Sequence, residues 1–231
     1  MKKNFSIEKN MKIRNNIIVL DFFAVFAFAT TALARDSKIP ASKEISTVTS
    51  DEHNDIFDKT IEQNILSPKV GSGQKAVIAD FQRRQAKELI EKGYEMSSLR
   101  DGLVIVATIV ADRLFLPNDT LMRASAQTII KPFTHYMKDF GMWKVLLVMH
   151  SDNTGSPKYL RKLTVARVDA VYDWLYDKSD HPEELVPYGI GGGAPLYPNN
   201  SMENRAKNRR LEIYLIPGEK MIKLAKENKL K

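Results

Sequence analysis

Two residues fifteen positions apart, Asp152 and Arg167, flank a polar turn that interrupts the apolar stretch from Trp143 to Val168. An anion and a cation brought together can pair with each other and order the turn. They can also hold a ligand bearing both charges, since a carboxylate accepts from an ammonium and a guanidinium grips a carboxylate through two parallel N–H bonds. Sequence spacing leaves both readings open. Thr154 lies in the same turn, His150-Ser151-Asp152-Asn153-Thr154-Gly155-Ser156-Pro157. A basic run, Asn204-Arg205-Ala206-Lys207-Asn208-Arg209-Arg210, adds cations, although such runs commonly form a solvated face. Asn208 within it either touches a ligand or turns the chain ahead of the next strand. Other chemistries find no support. The chain has no cysteine, which removes disulfides, thiolate metal sites and thiol nucleophiles. His53, His135, His150 and His181 are scattered without metal-ligand spacing. No Gly-x-Ser-x-Gly elbow occurs, and Gly191-Gly192-Gly193 lacks the Lys-Ser/Thr of a phosphate loop. A binding protein without catalytic residues, metal or cofactor is expected.

The elements that must position these residues are legible by periodicity. Leu103 to Val110 is a β-branched run suited to a strand buried on both faces. A loop from Asp112 to Thr120 leads to a helical stretch from Leu121 to Phe140, with Asp119 or Thr120 as its cap. Pro132 should break that helix near Ile130, because it lacks an N–H and clashes with the preceding turn. Lys144 to Met149 is the next strand. Pro157 suits the first turn of a helix capped by Ser156, and Leu160, Leu163, Ala166, Ala170, Val171, Trp174 and Leu175 form its apolar stripe. Arg167 lies beside that stripe. Short strands at Glu184 to Tyr188 and Leu211 to Ile216 follow, separated by a Gly/Pro-rich segment from Gly189 to Ser201. The order β-α-β-α-β-β predicts an α/β (α+β) two-layer sandwich, a mixed sheet with helices on one face.

Upstream, a basic stretch, an apolar run from Ile17 to Ala29, and Ala32-Leu33-Ala34 read as a signal peptide over residues 1–34, with Met11 an alternative start. Asp21 inside the apolar run keeps open an uncleaved, stator-like membrane anchor. Residues 1–34 also carry three of the seven net positive charges, so the remainder gives little reason to expect a nucleic-acid partner. Residues 35–73 read as a polar tether with a short helix near Asp51 to Leu66. Residues 74–100 form a helical extension that packs on the main domain, and a basic helical tail covers 218–231.

The segment His150 to Gly155, followed at a fixed distance by Leu163-Thr164-Val165-Ala166-Arg167, resembles the OmpA-like peptidoglycan-binding domain. Gly189-Ile190-Gly191, Ala194-Pro195, Asn200 and Arg205 to Glu212 resemble the rest of its signature, in the same order. The resemblance spans Leu103 to Ile216 and delimits a domain at residues 101–217. It implies non-catalytic, non-covalent binding of peptidoglycan through the diaminopimelate of its stem peptide, in the periplasm or at the outer membrane, with other envelope proteins as possible partners. Asp152 and Arg167 match the pair that grips the ligand's charged end, and Arg209 matches a further contact. Thr154 and Asn208 complete the candidate set. A diaminopimelate side chain ends in an ammonium and a carboxylate on one carbon, so a receptor for it needs both signs of charge. Two positions depart from the family pattern: Leu160 stands where Asn is usual, and Leu116 where Asp is common. Each loses a hydrogen-bonding group worth about 0.5–1.5 kcal/mol, which favours a variant reading: a scaffolding protein that keeps the fold and binds wall weakly.

Overall fold

The computed structural model describes residues 58–231. The expected signal peptide and the first part of the tether lie outside them. Five strands form one sheet: β1 (Glu95–Leu99), β2 (Val104–Val110), β3 (Trp143–His150), β4 (Leu185–Gly191) and β5 (Arg210–Pro217). Their spatial order is β1-β2-β5-β3-β4. β5 enters between β2 and β3 and runs antiparallel to both, while β3 and β4 are parallel. A parallel pair needs a crossover, here supplied by helix α4 (Pro157–Lys178).

Alternation along the central strands sorts side chains between two faces. Ile105, Ala107 and Ile109 of β2, Val145, Leu147 and Met149 of β3, and Leu211, Ile213 and Leu215 of β5 join the larger core. Helices α2 (Ser72–Glu91), α3 (Ala124–Ile130), α4 and α6 (Glu219–Lys226) bury their apolar faces in that core through Ile78 and Leu89, Ile130, Val171 and Leu175, and Met221 and Ile222. Helices α2, ahead of β1, and α6, after β5, thus pack on the same face of the sheet. Val104, Val106, Leu146, Val148, Tyr214 and Ile216 point the other way into a smaller core.

That second face carries an addition to the expected layout. Helix α1 (Ile61–Leu66), opened by a Thr60/Gln63 capping box, buries Ile61 and Ile65 there. The segment is pinned by polar contacts. The Lys144 ammonium donates to Asn64 Oδ1 at 3.2 Å and also to the Ser67 carbonyl, the Asn64 amide donates to Tyr188 Oη at 2.7 Å, and Arg100 donates to the Ile65 carbonyl at 2.7 Å. Burial, with Lys59 nearby, pulls the Lys144 pKa down to about 8.

Three local expectations need correction. Glu-Met-Ser-Ser-Leu is short and lacks β-formers, which suggests part of a helical extension, but its antiparallel pairing with β2 makes it the strand β1. The helix predicted from Leu121 begins only at Ala124, and Arg123 precedes it without a side-chain cap. Asp119 instead accepts from the Leu121 N–H at 2.9 Å and closes the loop. The α-helix does stop at Ile130, and the chain continues as a tighter 3-10 segment, Lys131–Met137, with Pro132 in its first turn. The basic run is not loose chain: Met202–Asn208 forms helix α5, whose N-cap Ser201 accepts from the Asn204 N–H at 3.1 Å.

Candidate ligand-binding site

The site forms at one end of the sheet, where β2 and β3 finish and β5 begins. Register explains it: Arg210 lies opposite Val110 on one side and His150 on the other. Arg209, one residue earlier, therefore enters between the turn after β2 and the turn after β3. The Ala111 N–H donates to the Arg209 carbonyl at 2.9 Å, which holds the first of these turns in place. The Arg209 guanidinium bridges two carboxylates. Nη1 donates to Asp152 Oδ2 at 2.7 Å, Nη2 to Asp112 Oδ2 at 2.9 Å, and Nε to Asp112 Oδ1 at 3.3 Å.

Asp152 is buried at 4% exposure, whereas the Asp112 side chain is 49% exposed. The two carboxylates thus present one desolvated and one wet anion to the same cation. Burial pushes the Asp152 pKa up, but the Thr154 N–H, which donates to its Oδ1 at 2.8 Å, and the Arg209 guanidinium outweigh it and hold the carboxyl below its ordinary value. The turn also demands Gly192. A Cβ there would lie 2.3 Å from the Asp152 carbonyl oxygen, far inside contact distance.

Arg167 reaches this region from the end of the third turn of α4, a helix that Ser156 caps by accepting from the Tyr159 N–H at 3.2 Å. It is buried, with its guanidinium 5.0 Å above the Phe115 ring. Nε donates to the Asp119 carbonyl at 2.8 Å and Nη2 to the Leu116 carbonyl at 2.9 Å. Burial lowers its pKa, while the nearby Asp112 opposes that shift. Two of its five N–H groups are used in these bonds, so it anchors the loop after β2 and retains donors.

No family model matches the chain. Outer membrane protein A of Bordetella avium is 24% identical over 110 residues, 48% of this chain and 57% of that protein. Peptidoglycan-binding protein ArfA of Mycobacterium tuberculosis is 34% identical over 70 residues, 30% of this chain and 22% of that protein. The match to these curated relatives thus spans little more than half of the one and under a quarter of the other. Among solved structures, a MotB-like protein from Desulfovibrio vulgaris superposes with a TM-score of 0.54 at 21% identity, over 62% of this chain and 98% of that one. Over this domain the chain is similar to OmpA-like proteins.

Within this domain the five sequence-selected residues separate into two groups. Asp152, Thr154 and Arg209 meet at the turn, with Arg167 held close by through the loop it anchors. The expectation that Asp152 and Arg167 might pair is not met, because Arg209 takes the carboxylate. Asn208 is fully buried and spends its whole capacity inside the fold. Its Oδ1 accepts from the Leu196 and Tyr197 N–H groups at 2.9 and 3.0 Å, and its amide donates to the Tyr197 carbonyl and Asn199 Oδ1. It clamps the loop before α5, the turn-forming alternative that its position had left open. Arg210 is likewise internal, bonding buried Glu212 at 2.9 Å beneath the site, and Tyr214 donates to the same carboxylate at 2.6 Å. Leu160 is buried, as its place in the α4 stripe implied, while Leu116 is 49% exposed and contributes its backbone. Sequence reasoning missed Asp112. Its signal was an acidic residue two positions beyond the end of a β-branched strand, where side chains commonly reach a site at the end of the sheet.

Proposed function

We propose that this protein binds peptidoglycan non-covalently and without catalysis, in the cell envelope, through the charged end of the diaminopimelate in the stem peptide. The observation that carries the reading is the Asp112–Arg209–Asp152 cluster with Arg167 beside it, which offers both signs of charge at one end of the sheet. The names of the relatives support it: one is an outer membrane protein and another a peptidoglycan-binding protein. In this reading Asp152 and the exposed Asp112 receive the ammonium, Arg209 and the spare donors of Arg167 take the carboxylate, and the Thr154 turn closes over the ligand. A signal peptide over residues 1–34 and a polar tether over residues 35–73 would deliver the domain at residues 101–217 to the periplasm. The alternative of an envelope scaffold with weak wall binding draws on two features. Arg209 is already neutralised by two carboxylates, and the usual polar position is the buried Leu160.

Pull-down on purified sacculi tests the assignment with wild type, Asp152→Ala and Arg167→Ala. Retention of the wild type with loss in both variants is expected. Equal retention of all three refutes the site, and no retention of any refutes the function.

A further inference from the structure

Trp174 differs from the other tryptophan of this chain. Trp143 is buried and packed between Phe81 and Tyr136, with ring centroids at 5.8 and 5.0 Å. Trp174 is half-buried and, among the described residues, has neither a ring partner nor a hydrogen bond to its indole N–H. It lines a groove of about 400 Å³ between α4 and the α3 region, together with Gln127, Thr128, Lys131, Thr134 and Lys178. Lys131 and Lys178 are exposed and have no salt-bridge partner among the described residues. The Thr134 hydroxyl donates to the Lys131 carbonyl at 2.9 Å, so its oxygen remains available to accept.

The groove is aligned with the charged site. Arg167, Trp174 and Lys178 fall at i, i+7 and i+11 of α4, a spacing that keeps them on one flank of the helix. At about 1.5 Å per residue, Trp174 lies roughly 10 Å further along the axis than Arg167. One flank of α4 therefore leads from the cluster at its N-terminal half to an aromatic platform with amide, hydroxyl and ammonium groups.

We propose that this groove is a saccharide subsite that takes a carboxylate-bearing amino sugar. The flat indole stacks on the apolar face of a pyranose ring and its N–H is free to donate to a sugar oxygen. Gln127, Thr128 and Thr134 supply donors and acceptors for hydroxyl and acetamido groups, and Lys131 with Lys178 select an acid over a neutral sugar. The choice of sugar rests on the peptidoglycan reading: a muramic acid residue that carries no stem peptide keeps a free carboxylate on its lactyl ether, whereas attachment of a peptide turns that carboxyl into a neutral amide. A glycan strand held at Arg209 by one of its peptides would lay a neighbouring, peptide-free acidic sugar along the same flank.

The test uses the full-length chain in detergent micelles, ¹⁵N-labelled and followed by NMR, with three soluble probes: the peptide-free disaccharide of N-acetylglucosamine and N-acetylmuramic acid, the neutral disaccharide of N-acetylglucosamine, and a diaminopimelate-containing stem tripeptide. The acidic disaccharide is expected to shift the Trp174 indole and the Gln127, Thr128 and Thr134 amides, and to saturate at lower concentration than the neutral one. Trp174→Ala should weaken its binding roughly five- to tenfold, and Lys131→Glu with Lys178→Glu should abolish the preference for the acid. Asp152→Ala should leave these shifts intact while removing those caused by the tripeptide. No shift in the groove, equal affinity for both disaccharides, or binding indifferent to Trp174→Ala would each overturn the proposal. A tripeptide that fails to bind while the acidic disaccharide still shifts Trp174 would refute the charged-site reading and leave the groove standing.

Discussion

Arg209 holds two carboxylates that differ in burial, and their removal should differ in cost. Asp152 is 4% exposed and accepts two hydrogen bonds, one from a backbone N–H and one from a guanidinium. Hydrogen bonds to a charged group are worth about 1.5–3 kcal/mol each, but Asp152→Ala leaves Arg209 still paired with Asp112, so the loss falls below that of stranding a buried ion. A destabilisation of about 2–3 kcal/mol is expected. Asp112 pairs with the same guanidinium in a half-exposed setting where solvent screens the attraction, and Asp112→Ala should cost about 0.5–1 kcal/mol. Urea unfolding of the two variants beside wild type reads the difference, roughly a 1 M shift in midpoint for Asp152→Ala at a typical slope of about 2 kcal/mol per molar. The pH dependence supplies the sign. The folded carboxyl of Asp152 titrates below its unfolded value, so its contribution is complete above the unfolded pKa of about 3.9 and is lost as pH falls through the folded pKa. Wild type and Asp152→Asn should therefore differ at neutral pH and converge in strong acid. Equal cost for the Asp112 and Asp152 variants, or a gap to Asp152→Asn that persists unchanged into acid, would refute the assignment of Asp152 as the desolvated partner.

Two other outcomes follow from the scaffold. Gly189→Ala would set a Cβ 2.3 Å from the Val165 backbone nitrogen, where β4 meets α4; since neither backbone can yield cheaply, the melting temperature should drop by several degrees, a cost of about 2 kcal/mol or more. Lys144 has its folded pKa depressed to about 8 by burial, so the unfolded chain binds more protons between about pH 8 and 10.5. Wild-type stability should accordingly rise across that range by about 2–3 kcal/mol relative to Lys144→Met, above the pH at which Glu184, raised to about 7 by burial, has ionised. Denaturant midpoints at pH 7.5 and 10 measure it, and parallel pH profiles would contradict it.

The local parts of the fold were determined by the sequence itself. The β-branched run at Val104 to Val110 must be a strand, because its side chains suit burial on both faces, and both faces are covered. Ser156 with Pro157 and the stripe through Leu160, Val171 and Leu175 sufficed for α4, since caps and a 3.6-residue period act within one element. The break at Ile130 followed from the missing N–H of Pro132. What tertiary structure alone decided is which charges meet. Asp152 lies fifteen residues from Arg167 and fifty-seven from Arg209, yet it pairs with Arg209, because β5 inserts between β2 and β3 and delivers that residue to both turns. The same insertion brings in Asp112, ninety-seven residues from its partner, and the docking of α1 on the second face depends on Arg100, Lys144 and Tyr188 from three separate segments. Strand order is a choice among non-local pairings of similar local sequences, and no period or cap in the chain encodes it.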